Sequence, residues 1–245
     1  MNIVASLLQL ERLYFQENEI HAAKRYLNQI FSGIDKSQVL YQQPQEHLFH
    51  IKQILYEKEK FLFSAENNIE NFTLCRTLND RCGNCLGLVS VYLSVSEYMN
   101  IPIRSLLFEG HISVGYVLNN DVLYYVEPTK YFNIIDPPVQ FLYGETCKIL
   151  DHEEFLAVHL SNHATHFYAR ASLMDDAVFL IDSALEIFPA YTAGWINRAA
   201  MMKQIENFKE MNRSLEIAKS LKPGGRYSQA IERIENNTTL VESVA

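Results

Sequence analysis

Cys85, His111 and Glu127 occur in the order thiol, imidazole, carboxylate, and each stands at the end of an expected structural element. A thiol acts as a nucleophile through its thiolate, which both a helix N-terminus and a neighbouring base favour. An imidazole can take that proton and later give it to a leaving group. A carboxylate can hold the imidazole ring and fix its tautomer. Together the three groups suit acyl transfer: the thiolate attacks an amide, ester or thioester carbonyl, and the acyl group then passes to water or to an amine. Unpaired N–H groups at the helix start, around Asn84 and Cys85, would stabilise the oxyanion. No metal or organic cofactor is required. Taken singly, the residues have plainer readings as a buried thiol, a strand histidine and a strand-end carboxylate. Their order and placement favour the joint reading.

These side chains need a helix and a hairpin to bring them together. Residues 84–99 are apolar on most faces, which predicts a buried helix with Asn84 as N-cap and Cys85 in its first turn. Asn100-Ile101-Pro102 ends it. The period then changes, and Ile103–Phe108, His111–Val117 and Val122–Val126 read as strands. Leu118-Asn119-Asn120-Asp121 is a turn signal, so the last two strands form a hairpin. A three-residue loop would set His111 directly opposite Glu127, on one face of the sheet. A two-residue loop at Asn119-Asn120 would put them on opposite faces, because side chains alternate. The triad therefore requires an odd loop or a bulge. Leu142–Leu150 offers a further strand.

Upstream, residues 3–80 read as helical, with apolar stripes led by Leu7, Leu27 and Ile54 and breaks at Gly33 and Gln43-Pro44. Beyond about 158 the chain is helical again and repeats. Ala184-Leu185-Glu186-Ile187-Phe188-Pro189 recurs as Ala218-Lys219-Ser220-Leu221-Lys222-Pro223, an offset of 34 residues. That period, with small residues at the helix crossings and proline after the second helix, is the tetratricopeptide pattern. Met211 stands where the pattern usually has alanine.

Composition narrows the function classes. The 245 residues are 48% hydrophobic with 14 Tyr and 14 Phe, enough for a packed core without disulfides. A formal charge of −8 argues against nucleic acid or an anionic membrane as partner. The N-terminus lacks a basic start and reads as an amphipathic helix rather than a signal peptide, and no apolar run is long enough to span a bilayer. Four cysteines in a chain of this length make no disulfide framework, so a reducing, cytoplasmic setting is expected.

The segments Leu78-Asn79-Asp80-Arg81-Cys82-Gly83-Asn84-Cys85-Leu86-Gly87-Leu88, Pro102-Ile103-Arg104, Gly110-His111-Ile112-Ser113-Val114 and Val126-Glu127-Pro128-Thr129 together resemble the bacterial transglutaminase-like superfamily. The likeness covers about residues 45–135 and is greatest to the branch in which this domain precedes tetratricopeptide repeats. It implies a papain-like fold, with a central helix bearing Cys85 packed on an antiparallel sheet bearing His111 and Glu127. Many members have Asp as the third group, where this chain has Glu127.

Three other readings compete. Cys82-x-x-Cys85 is also a redox spacing, but the chain before it lacks the hydrophobic strand a thioredoxin-type fold needs. Cys82 is also a possible redox partner of Cys85. Cys75, Cys82, Cys85 and Cys147 offer four thiolates to zinc, with ligand spacing in one pair alone, and no metal is expected. His159, His163 and His166 share one helix face, read as a polar repeat face or an interface ahead of a metal patch. Finally, the chain could be a non-catalytic scaffold that binds proteins through its repeats. The expected fold is α+β, with a transglutaminase-like cysteine domain at 1–150, helical repeats at 158–236 and a tail at 237–245. The expected function is cysteine-dependent acyl transfer or amide hydrolysis on a protein or peptide, with a possible protein partner at the repeats.

Overall fold

An unbroken apolar run capped by Asn84 folds as the expected helix. In the computed structural model, which describes residues 2–36, 43–65, 70–135, 147–169 and 173–236, this helix runs Cys85–Met99. The Asn84 side chain accepts from the N–H groups of Leu86 and Gly87 at 3.0 and 3.1 Å. At the other end Asn100 adopts the left-handed conformation, φ 56°, and closes the helix. Residues from Cys85 to Ser96 are all buried, and each buried Val or Leu contributes on the order of 2 kcal/mol. The buried serines are satisfied within the helix: Ser90 and Ser94 hydroxyls donate to the carbonyls four residues back.

The chain divides into two compact units, Met1–His152 and Glu153–Val244. In the first, helices α1 (Ile3–Glu11), α2 (Glu17–Ser32), α3 (Pro44–Lys52) and α4 (Leu74–Asp80) precede the central helix, which is α5. The third continues as a π-helical turn, Gln53–Lys58. The expected apolar stripes are buried at Leu7, Leu8, Leu27, Ile30, Ile51, Ile54, Leu55 and Phe61, whereas Leu13 and Phe49 are exposed. Two short strands, β1 (Leu62–Phe63) and β2 (Cys82–Gly83), interrupt the helical reading and pair in parallel. Two residues are too few to carry a period, so the sequence pattern did not reveal them. Glu11, fully buried at the end of α1, accepts from the N–H groups of Leu74 and Cys75 at 2.6 and 2.7 Å and so caps α4. Burial pushes its carboxyl up to about 8 against the pull of those two donors.

After α5 comes an antiparallel sheet: β3 (Ile103–Phe108), β4 (His111–Leu118), β5 (Asp121–Glu127), β6 (Asn133–Ile135) and β7 (Lys148–Ile149), in the order β6-β5-β4-β3-β7. The helix packs on β3 and β4. The strand expected at Leu142–Leu150 is present as β7 in its last residues, and 142–146 lie outside the described residues. The mixture of helices with an antiparallel sheet agrees with the expected α+β class.

The second unit is helical. After α6 (His152–Tyr168) come α7 (Met174–Ile187), α8 (Thr192–Gln204), α9 (Phe208–Ser220) and α10 (Gly225–Glu235). Ala177, Ile181 and Ala184 of α7 are buried, and so are Met211, Leu215 and Ala218, 34 residues on in α9. Arg198 of α8 links its neighbours, donating to Asp182 at 2.6 Å, Glu210 at 3.2 Å and Ser214 at 2.8 Å. His159, His163 and His166 are buried, so of the two expected readings, a polar helix face or an interface, the solvated polar face is excluded. Burial and the two neighbouring histidines hold the His163 imidazole well below its ordinary value. The expected tail at 237–245 lies outside the described residues. Among the described residues, no helix is long and apolar enough to cross a membrane.

Candidate active site

The nucleophile position is built from two sides. Asn84 is extended, φ −78° and ψ −173°, and its N–H donates to the Asn71 carbonyl at 2.9 Å. This fixes the turn from β2 into α5. Thr77 of α4, held by a bond from its hydroxyl to the Thr73 carbonyl at 2.7 Å, packs directly on that turn. A Cβ on Gly87 would stand 2.3 Å from the Thr77 hydroxyl and 2.5 Å from the Asn71 carbonyl oxygen. Glycine is therefore required there by close approach of backbone. Cys85 opens α5 at the positive end of the helix dipole. The Asn84 cap claims the N–H groups of Leu86 and Gly87, and leaves that of Cys85 unclaimed by the cap.

The imidazole and the carboxylate come from the hairpin. Gly110, at φ 66°, turns β3 into β4, so His111 pairs with Phe108 and begins the strand. The β4–β5 turn is the two-residue Asn119-Asn120, both left-handed at φ 52° and 66°, with Leu118 opposite Asp121 and Val117 opposite Val122. Taken alone, that turn would separate His111 and Glu127 to opposite faces. The register then shifts: Tyr116 pairs with Tyr124, so Leu123 is an extra residue in a bulge. Val114 pairs with Val126, and continuing that register places Ser113 opposite Glu127. His111, two residues from Ser113, shares its face, and so shares the face of Glu127.

The side chains meet. His111 Nε2 lies 2.9 Å from Glu127 Oε2. The Tyr125 hydroxyl donates to the same oxygen. Glu127 Oε1 accepts from the Thr129 N–H at 3.1 Å and from the Thr129 hydroxyl at 2.6 Å. On its other side His111 hydrogen-bonds Cys85. Burial alone would lower the imidazole, but the bonds and charges of Cys85 and Glu127 prevail and push it up to about 9. Burial alone would raise the Glu127 carboxyl, but His111, Thr129 and Tyr125 draw it down to about 2. These opposite shifts describe an imidazolium–carboxylate pair at neutral pH. Glu127 is buried, while the His111 side chain is 21% exposed. Cys85 has no exposed surface, so a reagent reaches it only when groups over it move.

A family model described as the transglutaminase-like superfamily matches residues 21–175, more than half of the chain. The chain belongs to this superfamily. No curated protein and no solved structure matches it. Membership points to cysteine-dependent catalysis in general, which agrees with a thiol at a helix start beside an imidazole. The matched region continues beyond the sheet and takes in α6, and ends before the helical hairpins at α8–α10.

The remaining candidate residues separate. Cys82 lies in β2, and the extended run through Gly83 and Asn84 spaces its Cα about 10 Å from that of Cys85. A disulfide needs about 7 Å or less, so joining the two requires this turn to refold, and no disulfide joins any of the four cysteines. Burial pushes the Cys75 thiol up to about 12. Among the described residues, the cysteines do not gather into a metal-ligand cluster. The chain entering the Cys82–Cys85 segment is helix α4, not the strand that a thioredoxin-type site needs. The sequence reasoning did not single out Tyr125 and Thr129. Alternation along β5 puts Tyr125 on the face of Glu127, and a threonine directly after a strand-end Glu-Pro can donate to that carboxylate. Both signals are weak without the register.

Proposed function

We propose that this chain is a thiol acyl-transfer enzyme in which Cys85 is the nucleophile, His111 the general acid–base and Glu127 the group that orients His111. The observation that carries this is the chain of contacts Cys85–His111–Glu127, with the imidazole raised to about 9 between a thiol and a buried carboxylate. Glu127 engages Nε2, which leaves Nδ1 as the imidazole atom for Cys85. The thiolate attacks a carbonyl carbon, the C–S bond forms, and the carbonyl electrons move onto oxygen, where the Cys85 N–H can donate. His111 gives its proton to the leaving group, which departs as an amine, alcohol or thiol. Water or an amine, deprotonated by His111, then attacks the thioester and regenerates Cys85. Asn84 acts on this step through its cap; its Oδ1 is committed to Leu86 and Gly87. The substrate is a polypeptide. Its support is the period-34 helical pairing of α7–α10, which follows the tetratricopeptide pattern and suits capture of a protein or peptide.

The test is to trap the acyl-enzyme. The parent protein, incubated with a p-nitrophenyl ester or a peptide thioester and quenched in acid, gains the acyl mass on Cys85. Cys85→Ala gains none, and His111→Ala gains it at least about 100-fold more slowly. A parent protein that is never acylated, yet binds peptides through its C-terminal helices, would reverse the conclusion in favour of the scaffold.

A further inference from the structure

We infer that Tyr125 and Thr129 are positioning residues, which hold the long Glu127 side chain at one angle against His111. This rests on the reading of Glu127 as the acid of the triad. A glutamate has one more rotatable bond than an aspartate, so reaching His111 is not enough: the carboxylate has to be kept at one angle. An ionised carboxylate offers about four acceptor directions, and at least four donors stand on this one. His111 and Tyr125 donate to Oε2, and the N–H and hydroxyl of Thr129 donate to Oε1. The donors come from three sides: the neighbouring strand β4, the same face of β5 two residues back, and the 3-10 turn Pro128–Lys130 that Glu127 itself caps. Tyr125 is fully buried, edge-on to Phe108 at 6.0 Å between ring centroids, so its hydroxyl is aimed by core packing. The Thr129 hydroxyl is aimed by its own backbone, because its N–H binds the same oxygen. The titratable groups meeting Glu127 include His111 from β4 and Tyr125 from β5, with Cys85 reached through His111.

Donors to an ionised carboxylate favour that form, so their loss raises the pH at which it takes a proton. The experiment follows Glu127 by NMR of 13Cδ-labelled glutamate, its signal assigned by its absence in Glu127→Gln, in the parent and in Tyr125→Phe, Thr129→Val and Thr129→Ser. Tyr125→Phe keeps the packed ring, and Thr129→Ser keeps the hydroxyl. The expected result is a parent midpoint near 2, a rise of about one unit in each of Tyr125→Phe and Thr129→Val, and a parent-like midpoint in Thr129→Ser. Cys85 alkylation in acid weakens over the same interval. If Tyr125→Phe does not fold, the Val and Ser variants of Thr129 decide the matter. Variants that lose stability while the Glu127 midpoint stays at the parent value would overturn the inference and leave the triad standing. A parent midpoint near the ordinary 4.5, with His111 titrating as a free imidazole, would remove the triad and this inference with it.

Discussion

At the scale of single residues, the decisive property is the pair of opposed proton affinities. His111 is raised to about 9 and Glu127 lowered to about 2. A base whose folded value is raised contributes stability that is complete below its unfolded value, about 6.5, and is lost as pH rises through 9. A carboxyl whose folded value is lowered contributes stability that is complete above its unfolded value, about 4.5, and is lost as pH falls through 2. The interaction is therefore strongest between about pH 4.5 and 6.5. Glu127→Gln removes one end of it, and the His111 midpoint should fall by about one to two units, read from the imidazole carbon shifts. A midpoint unchanged in this variant would mean that Glu127 does not act on His111. The three residue types and their order were legible in the sequence because each carries its own chemistry. The four-donor arrangement around Glu127 was not, since it depends on which side chains the sheet register brings to one point.

The structural elements turn these residues into a site. The helix from Cys85 and the three long strands were legible, because a long apolar run and a change of period to two are strong local signals. The hairpin register was legible as a choice. Asn119-Asn120 favours a tight two-residue turn, which alone points His111 and Glu127 apart, and the shared face then depends on a bulge that leaves Leu123 out of the pairing. A bulge has no distinctive residue pattern here, so its position was beyond the sequence. Short β1, β2 and β6 were missed because two or three residues cannot carry a period. Insertion of one alanine between Tyr125 and Val126 should move Glu127 from opposite Ser113 to opposite Ile112 and so turn it to the other face. The variant is expected to keep its circular dichroism spectrum and to lose Cys85 acylation by at least about 100-fold, much as removal of a catalytic proton-transfer group does. Acylation at the parent rate would show that Glu127 need not share the face of His111.

For the molecule as a whole, superfamily membership and internal geometry agree on a thiol-centred chemistry. The first unit holds every member of the proposed triad. The second unit was legible as helical hairpins through its 34-residue period, while the burial of His159, His163 and His166 was not, since spacing shows that side chains share a face but not whether solvent meets it. The complete burial of Cys85 was legible as part of the buried helix that this residue opens. It means that absolute labelling rates include an opening step, and that the shape of a pH profile is the informative quantity. The most direct measurement is the pH dependence of Cys85 alkylation by iodoacetamide, in the parent and in His111→Ala. The parent is expected to react well below pH 7, and His111→Ala to lose this reactivity and follow an ordinary thiol near pH 8.5. A parent profile that already follows an ordinary thiol, and is unchanged by loss of His111, would contradict the proposed Cys85–His111 pair.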